Sequence, residues 1–215
     1  RYLINTSFFL CRLFYCKLVY KIYMSVVNKS TPDNNTKIIC DKDNVILRRN
    51  EELNTFSLAF GLKNEKIQLS KIINLKLYTL LYELNKDIIE SVEILSETET
   101  ESTILLIFKQ FGAELGMSQK YMCLHTIMDR REGSIIMRSE TATSGRDNLK
   151  GISNCEEIIS PYTNLFVRMK SESEAVVDYF FNMKMEDELP IYMENMIGIL
   201  MKKTLLRVKE FIEKI

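Results

Sequence analysis

The final stretch of the chain, Leu189 to Ile215, limits what the rest of it can become. Acidic residues Glu186, Asp187 and Glu188 precede it, and Pro190 stands where a first helical turn tolerates proline. Apolar residues then recur at Ile197, Leu200, Met201, Leu205, Val208, Phe211, Ile212 and Ile215, a helical period that draws one continuous stripe. Lys202, Lys203, Arg207, Lys209 and Lys214 are expected on the other side, most of them toward the C-terminal end, where the helix dipole favours cations. At about 1.5 Å per residue, roughly 25 residues make a rod of about 38 Å. Such a stripe requires a broad apolar partner, either a filled core or the wall of a cavity.

The totals narrow the classes of function. Lys plus Arg equals Asp plus Glu at 29 each, so no overall basic field exists to hold nucleic acid, and none is expected as a partner. The cysteines Cys11, Cys16, Cys40, Cys123 and Cys155 are odd in number and lack CxxC spacing, which argues against a disulfide framework or a zinc site. Reduced thiols in a cytoplasmic protein are the expectation. With His125 as the single histidine, a multi-histidine metal site is excluded, and a Ser-His-Asp triad would have to use that residue. The loop Ser144 to Gly151 lacks the GxxxxGK[ST] phosphate-binding pattern, and no cofactor or metal is expected.

Residues 1–23 are apolar but interrupted by Arg12, Lys17 and Lys21, which leaves runs short of the roughly 20 residues that span a bilayer. They are expected to be upstream-translated or leader sequence, because the first methionine is Met24. A degenerate signal anchor and an amphipathic surface helix are the alternatives. Residues 24–44 read as a flexible polar lead-in, and 45–215 as one domain. Val45–Arg49 and Leu53–Phe60 predict a hairpin about Asn50-Glu51-Glu52, ended by Gly61. The spacing of Ile67 to Ile89 predicts a helix that stops near Asn85. Three further antiparallel pairs follow: Ser91–Glu97 with Thr100–Phe111, Gln119–Asp129 with Gly133–Thr141, and Ile158–Lys170 with Ala175–Met185. The run Ile104–Phe108 is apolar on both faces, so its strand is expected to be covered on both sides or central.

Four places carry a wider likeness. Val45 to Asn50, with Phe56 after it, makes an arginine-rich opening hairpin. Leu77 to Leu84 passes from helix into the strand Val92 to Leu95. Met117 to His125 is paired with Gly133 to Ser139, and Ala175 to Phe181 leads through Glu188, Leu189 and Pro190 into the last helix. In this order and spacing, over Asp43 to Ile215, the chain resembles the START lipid-transfer domain, a helix-grip fold of the Bet v 1-like superfamily. Two departures are Leu84-Asn85-Lys86-Asp87 where that family often has Trp-Asp, and Gln119-Lys120 in place of its arginine-aspartate.

The resemblance implies an α+β helix-grip fold, a curved antiparallel sheet wrapped around the long C-terminal helix. It further implies an internal apolar cavity that binds a single lipid (phospholipid, sterol or ceramide) and a non-catalytic transfer of that lipid between membranes. The partners are then a lipid and, transiently, a membrane surface, for a monomer that is cytoplasmic or peripheral at membranes. Each buried methylene of an acyl chain contributes about 0.8 kcal/mol, so a palmitoyl-length chain gains roughly 10 kcal/mol before ordering costs. On the cavity wall the expected residues are Ile197, Leu200, Met201 and Leu205 from the helix, with Phe108, Met137, Phe166 and Phe180 from strands. Adaptable methionines suit such a wall, among them Met183, Met193 and Met196. His125, Arg138 and Arg168 are strand residues with apolar neighbours, expected to meet a headgroup or hydroxyl. A buried arginine there would need Asp129, Glu140, Asp178 or a phosphate. The alternative for both arginines is a solvated outer face, and for His125 a structural role. Two other functions stay open: an interaction module with a filled core, and an enzyme of the same fold, a cyclase or hydrolase.

Overall fold

Period-two alternation sets most of the strands. β1 (Thr36–Lys42), β2 (Val45–Asn50) and β3 (Thr55–Lys63) precede two short helices, α1 (Leu69–Ile72) and α2 (Leu77–Leu84). Then come β4 (Ile89–Glu97), β5 (Glu101–Phe108), β6 (Gln119–Arg131), β7 (Ser134–Thr141), β8 (Cys155–Glu157), β9 (Thr163–Met169) and β10 (Glu174–Asn182). The helix α3 (Ile191–Lys214) closes the chain. The computed structural model describes residues 36–50, 55–111, 113, 117–143, 149, 152–182 and 191–215. The readings of residues 1–35, the turn at 51–54, the loop glycines 112 and 116, most of 144–151, Met183 and the helix start at Pro190 lie outside the described residues.

The strands form one sheet in the order β1-β2-β3-β10-β9-β7-β6-β5-β4, with β8 beside β6. The β6–β8 register is parallel and the other registers are antiparallel. Several boundaries differ from the sequence reading. Residues 36–42 are a strand rather than part of a flexible lead-in, because Asp43 and Asn44 turn the chain with φ of 61° and 55°. That left-handed pair suits a two-residue hairpin. Lys37–Ile215 form one compact unit. Gly61 does not end β3; it pairs with Val176 inside the ladder. The expected helix from Ile67 is broken at Asn74, whose Oδ1 accepts from the Lys76 amide at 2.9 Å while its Nδ2 donates to the Lys71 carbonyl at 3.0 Å. An Asx side chain that offers the backbone these partners competes with the helix ladder.

The sheet must curl around α3. Its two edges are β1 and β4. Laid flat, a nine-strand path would hold them about 38 Å apart, whereas a helix is about 10 Å across. Yet Lys202 of α3 donates to the Lys42 carbonyl in β1 at 2.8 Å, and Arg207, little more than a turn further on, binds Asp87 just before β4. Both edges therefore return to one helix.

Alternation then assigns two faces. The inner face carries Val45, Leu47, Phe56, Leu58, Phe60, Met128, Ile135, Met137, Val167, Val177 and Phe181, packed with Val208 and Ile212 of α3. A second inner cluster joins Ile88, Ile89, Ile104, Leu106, Met122 and Leu124 to Leu200. On the outer face, Leu105, Ile107, Tyr121 and Cys123 are covered by Ala142, Leu149, Ile152 and Cys155. This double covering accounts for the continuous apolar run in β5.

Candidate functional site

The site is built where α3 meets the inner face. Gly198 lets the helix come close: a Cβ there would stand 2.7 Å from Cε1 of Phe56. Arg49 sits beside it, with its guanidinium 5.4 Å from the Phe56 ring centroid, ion-paired with Glu194 and donating to Asn195 Oδ1 at 3.1 Å. Lys202 is buried at the edge of the stripe, its Nζ also 3.1 Å from Cys40 Sγ. At the far end, Asn64 Nδ2 donates to the carbonyls of Ile212 at 2.6 Å and Ile215 at 3.2 Å, which would otherwise lack partners at a helix C-terminus.

Beneath the helix the packing is uneven. Leu165, Met169, Tyr179, Met201, Leu205 and Leu206 pack against the first inner cluster yet remain only half-buried. Tyr78, Leu81, Phe108 and Leu200 do the same against the second. Hydroxyls lie at the seam between the clusters. The phenol of Tyr78, from α2, is 2.8 Å from Thr126 Oγ1 and 2.9 Å from Ser139 Oγ, and those two are 2.8 Å apart. Tyr179 hydrogen-bonds Thr163 and lies near enough to Tyr78 for the two phenols to interact electrostatically. Burial pushes both phenols above their ordinary range, Tyr179 furthest, so both stay protonated and neutral.

Of the residues expected on the wall, Phe108, Met137, Leu200, Met201 and Leu205 fall in the inner clusters, and Ile197 is half-buried on the same helix. Five others face outward. His125 opposes Thr103 and its Nδ1 is 3.1 Å from Thr103 Oγ1. Arg138 alternates with the buried Met137. Phe166 and Phe180 meet edge to face at 6.2 Å, and Arg168 pairs with Asp178 at 3.0 Å with its side chain largely in solvent. The physical reason is the two-residue period: Met137, Val167 and Phe181 point inward, so their neighbours cannot. Lys202 is likewise not on the solvated side of the helix. Tyr78, Thr126, Ser139, Thr163, Tyr179, Arg49 and Asn64 belong to the site without being marked as such by sequence pattern. A lone hydroxyl at the inward position between Leu124 and Met128 was the one local signal.

No family model matches the sequence, and no curated protein does. Solved structures do. The lipid transfer and protein localization domain of human StarD13 superposes with a TM-score of 0.66 at 8% identity, covering 92% of this chain and 98% of that one. Human STARD10 gives 0.65 at 10% identity over 87% of this chain and 77% of that one. The chain has the START fold. A STAR-related lipid transfer protein from Xanthomonas axonopodis gives 0.63 at 14% identity, over 84% of this chain and 100% of that one. What is shared at such identities is architecture, and the helix-grip arrangement expected from the sequence is the one observed. Among the described residues of this START fold, no helix is long and apolar enough to cross a membrane.

Proposed function

We propose that the chain binds one lipid between α3 and the inner face of the sheet and transfers it between membranes without chemistry. The observation that carries this reading is the enclosure. Nine strands curl until one edge, and the turn leading into the other, touch one helix, while apolar side chains packed against the inner clusters are only half-buried. A closed barrel of about eight strands is just filled by its own side chains or holds one small ligand. Here nine strands close on a helix instead of on themselves, and an apolar guest gains from every methylene it buries between them. The solved structures with this fold include proteins described as lipid-transfer domains, which supports the same reading.

Membrane contact has a candidate surface on the outer side of α3. Tyr192, Met196 and Ile199 are exposed along one face, Tyr192 at 63%, with Ile191 beside them and Lys203 one turn beyond. Apolar side chains exposed along one helix face suit brief docking of a monomer on a bilayer, peripheral and from the cytoplasm; Lys203 beyond them is held by Asp87 at 3.1 Å. Chemistry is disfavoured by the place of the single histidine: His125 lies on the outer face, away from the enclosed residues. The test is transfer of labelled lipid between donor and acceptor vesicles. Leu200→Arg puts a charge into the interior and is expected to cut the transfer rate by about tenfold or more, with the fold retained by circular dichroism. Equal transfer by the variant contradicts the reading.

A further inference from the structure

The strand registers bring together residues far apart in sequence. Ser102 opposes Thr126, Thr126 opposes Ser139, and Ser139 opposes Thr163. The same row continues from Thr163 to Phe181, to Phe56 and to Arg49. One transverse line on the inner face thus carries four hydroxyls, then two phenylalanine rings stacked at 5.1 Å, then an arginine. The flanking rows are mostly apolar: Met128, Met137 and Leu165 run to Tyr179 on one side, and Ile104 and Leu124 run to Thr141 on the other. Tyr78 and Tyr179 add their phenols to the hydroxyl end. A filled core gains nothing from this row, because valine has the shape of threonine and each buried hydroxyl must recover the hydrogen bonds it made to water.

We propose that this hydroxyl row is the subsite for the polar end of the bound guest, and that the guest is an uncharged lipid bearing a hydroxyl. The inference rests on the lipid-binding reading above. The mutual contacts of Tyr78, Thr126 and Ser139 close a ring that consumes all three protons when its members donate head to tail. In that arrangement each oxygen keeps a spare lone pair, so the ring accepts a further hydrogen bond and has no proton left to give. An alcohol donates one proton and fits. A phosphodiester or carboxylate only accepts, carries charge and calls for a cation. The cations at inward positions among the described residues are already engaged: Arg49 by Glu194 and Asn195, Lys202 by Lys42 and Cys40, Lys120 by Glu156, and Arg130 by the carbonyls of Ser70 and Ile73 at 2.7 Å each. Protonated phenols bring no charge of their own.

The experiment incubates the full chain with vesicles doped in turn with cholesterol, dioleoylglycerol, dioleoylphosphatidylcholine, dioleoylphosphatidylserine and oleic acid. The protein is re-isolated and its bound lipid quantified by mass spectrometry. Cholesterol or dioleoylglycerol is expected to be taken up in preference to both phospholipids and oleate. Tyr78→Phe with Thr126→Val is expected to weaken that uptake about tenfold, the scale of one or two lost hydrogen bonds. Should the double variant not fold, Ser139→Ala removes one member of the ring at less cost to packing and must show the same direction. Uptake led by either phospholipid or by oleate overturns this inference and leaves the lipid-binding reading standing. Hydroxyl-lipid uptake that no variant weakens overturns the placement of the subsite. Failure to take up any of the five overturns both.

Discussion

Tyr78 and Tyr179 are the residues on which the interior can be read most directly. Each phenol is held above its ordinary range, by burial first, partly offset by its hydroxyl partners. A raised folded-state value means that the folded chain keeps protons the unfolded chain releases. Their contribution to stability is therefore intact below about pH 10 and is lost as pH rises beyond it. Of the ten tyrosines, these two are expected to resist ionisation in an alkaline absorbance titration until the chain unfolds, and Tyr78→Phe with Tyr179→Phe to remove that late fraction. Simultaneous titration of every tyrosine in the folded protein would contradict the placement of these two phenols against the inner clusters. Little of this was legible in the sequence: Thr126 between Leu124 and Met128 is the one local signal, while Ser139 and Thr163 are ordinary strand residues that only register aligns with it. The inward-facing choice went wrong at Phe166 and Phe180 for a related reason. Both faces of β9 and β10 carry large apolar side chains, so hydrophobicity alone does not say which set points in.

At the scale of elements, α3 is fastened at its start by Arg49, midway by Lys202 and Arg207, and at its end by Asn64. Its length and most of its apolar stripe were plain from spacing, because 3.6-residue periodicity is local, although Phe211 and Ile215, read into the stripe, are exposed. Its fastenings were not, since each joins residues more than a hundred positions apart. Lys202 illustrates the difference. It reads as part of a solvated face, yet its methylenes lie along the stripe and its ammonium reaches a β1 carbonyl. Asp87 offers the cleanest test of the fastening to the sheet edge. Arg207 above all, with Lys203 at 3.1 Å, holds its carboxyl well below the usual carboxylate range. A depressed carboxylate stabilises the fold above its unfolded value near pH 4, and that contribution is lost as pH falls toward the folded value. Asp87→Asn is expected to lower the thermal midpoint at neutral pH and to flatten its decline between about pH 4 and pH 2. An unchanged acid limb would show that the pair contributes nothing to holding the helix.

For the molecule as a whole, the succession of hairpins, helix and long terminal helix was legible because each unit is short-range. The closure was legible only through the family resemblance and not from local spacing, since it depends on β3 crossing to pair with β10 and on both ends of the sheet path meeting α3. That closure is what turns an amphipathic helix into one wall of an enclosure, and it underlies the proposed lipid binding and transfer. The most direct test is native mass spectrometry of the full chain, purified gently and again after exposure to vesicles of phospholipid, sterol and ceramide. The account predicts a protein carrying one lipid molecule, identified after extraction, and loss of that adduct in Leu200→Arg. A bare protein mass under every condition would contradict it and point instead to a filled core.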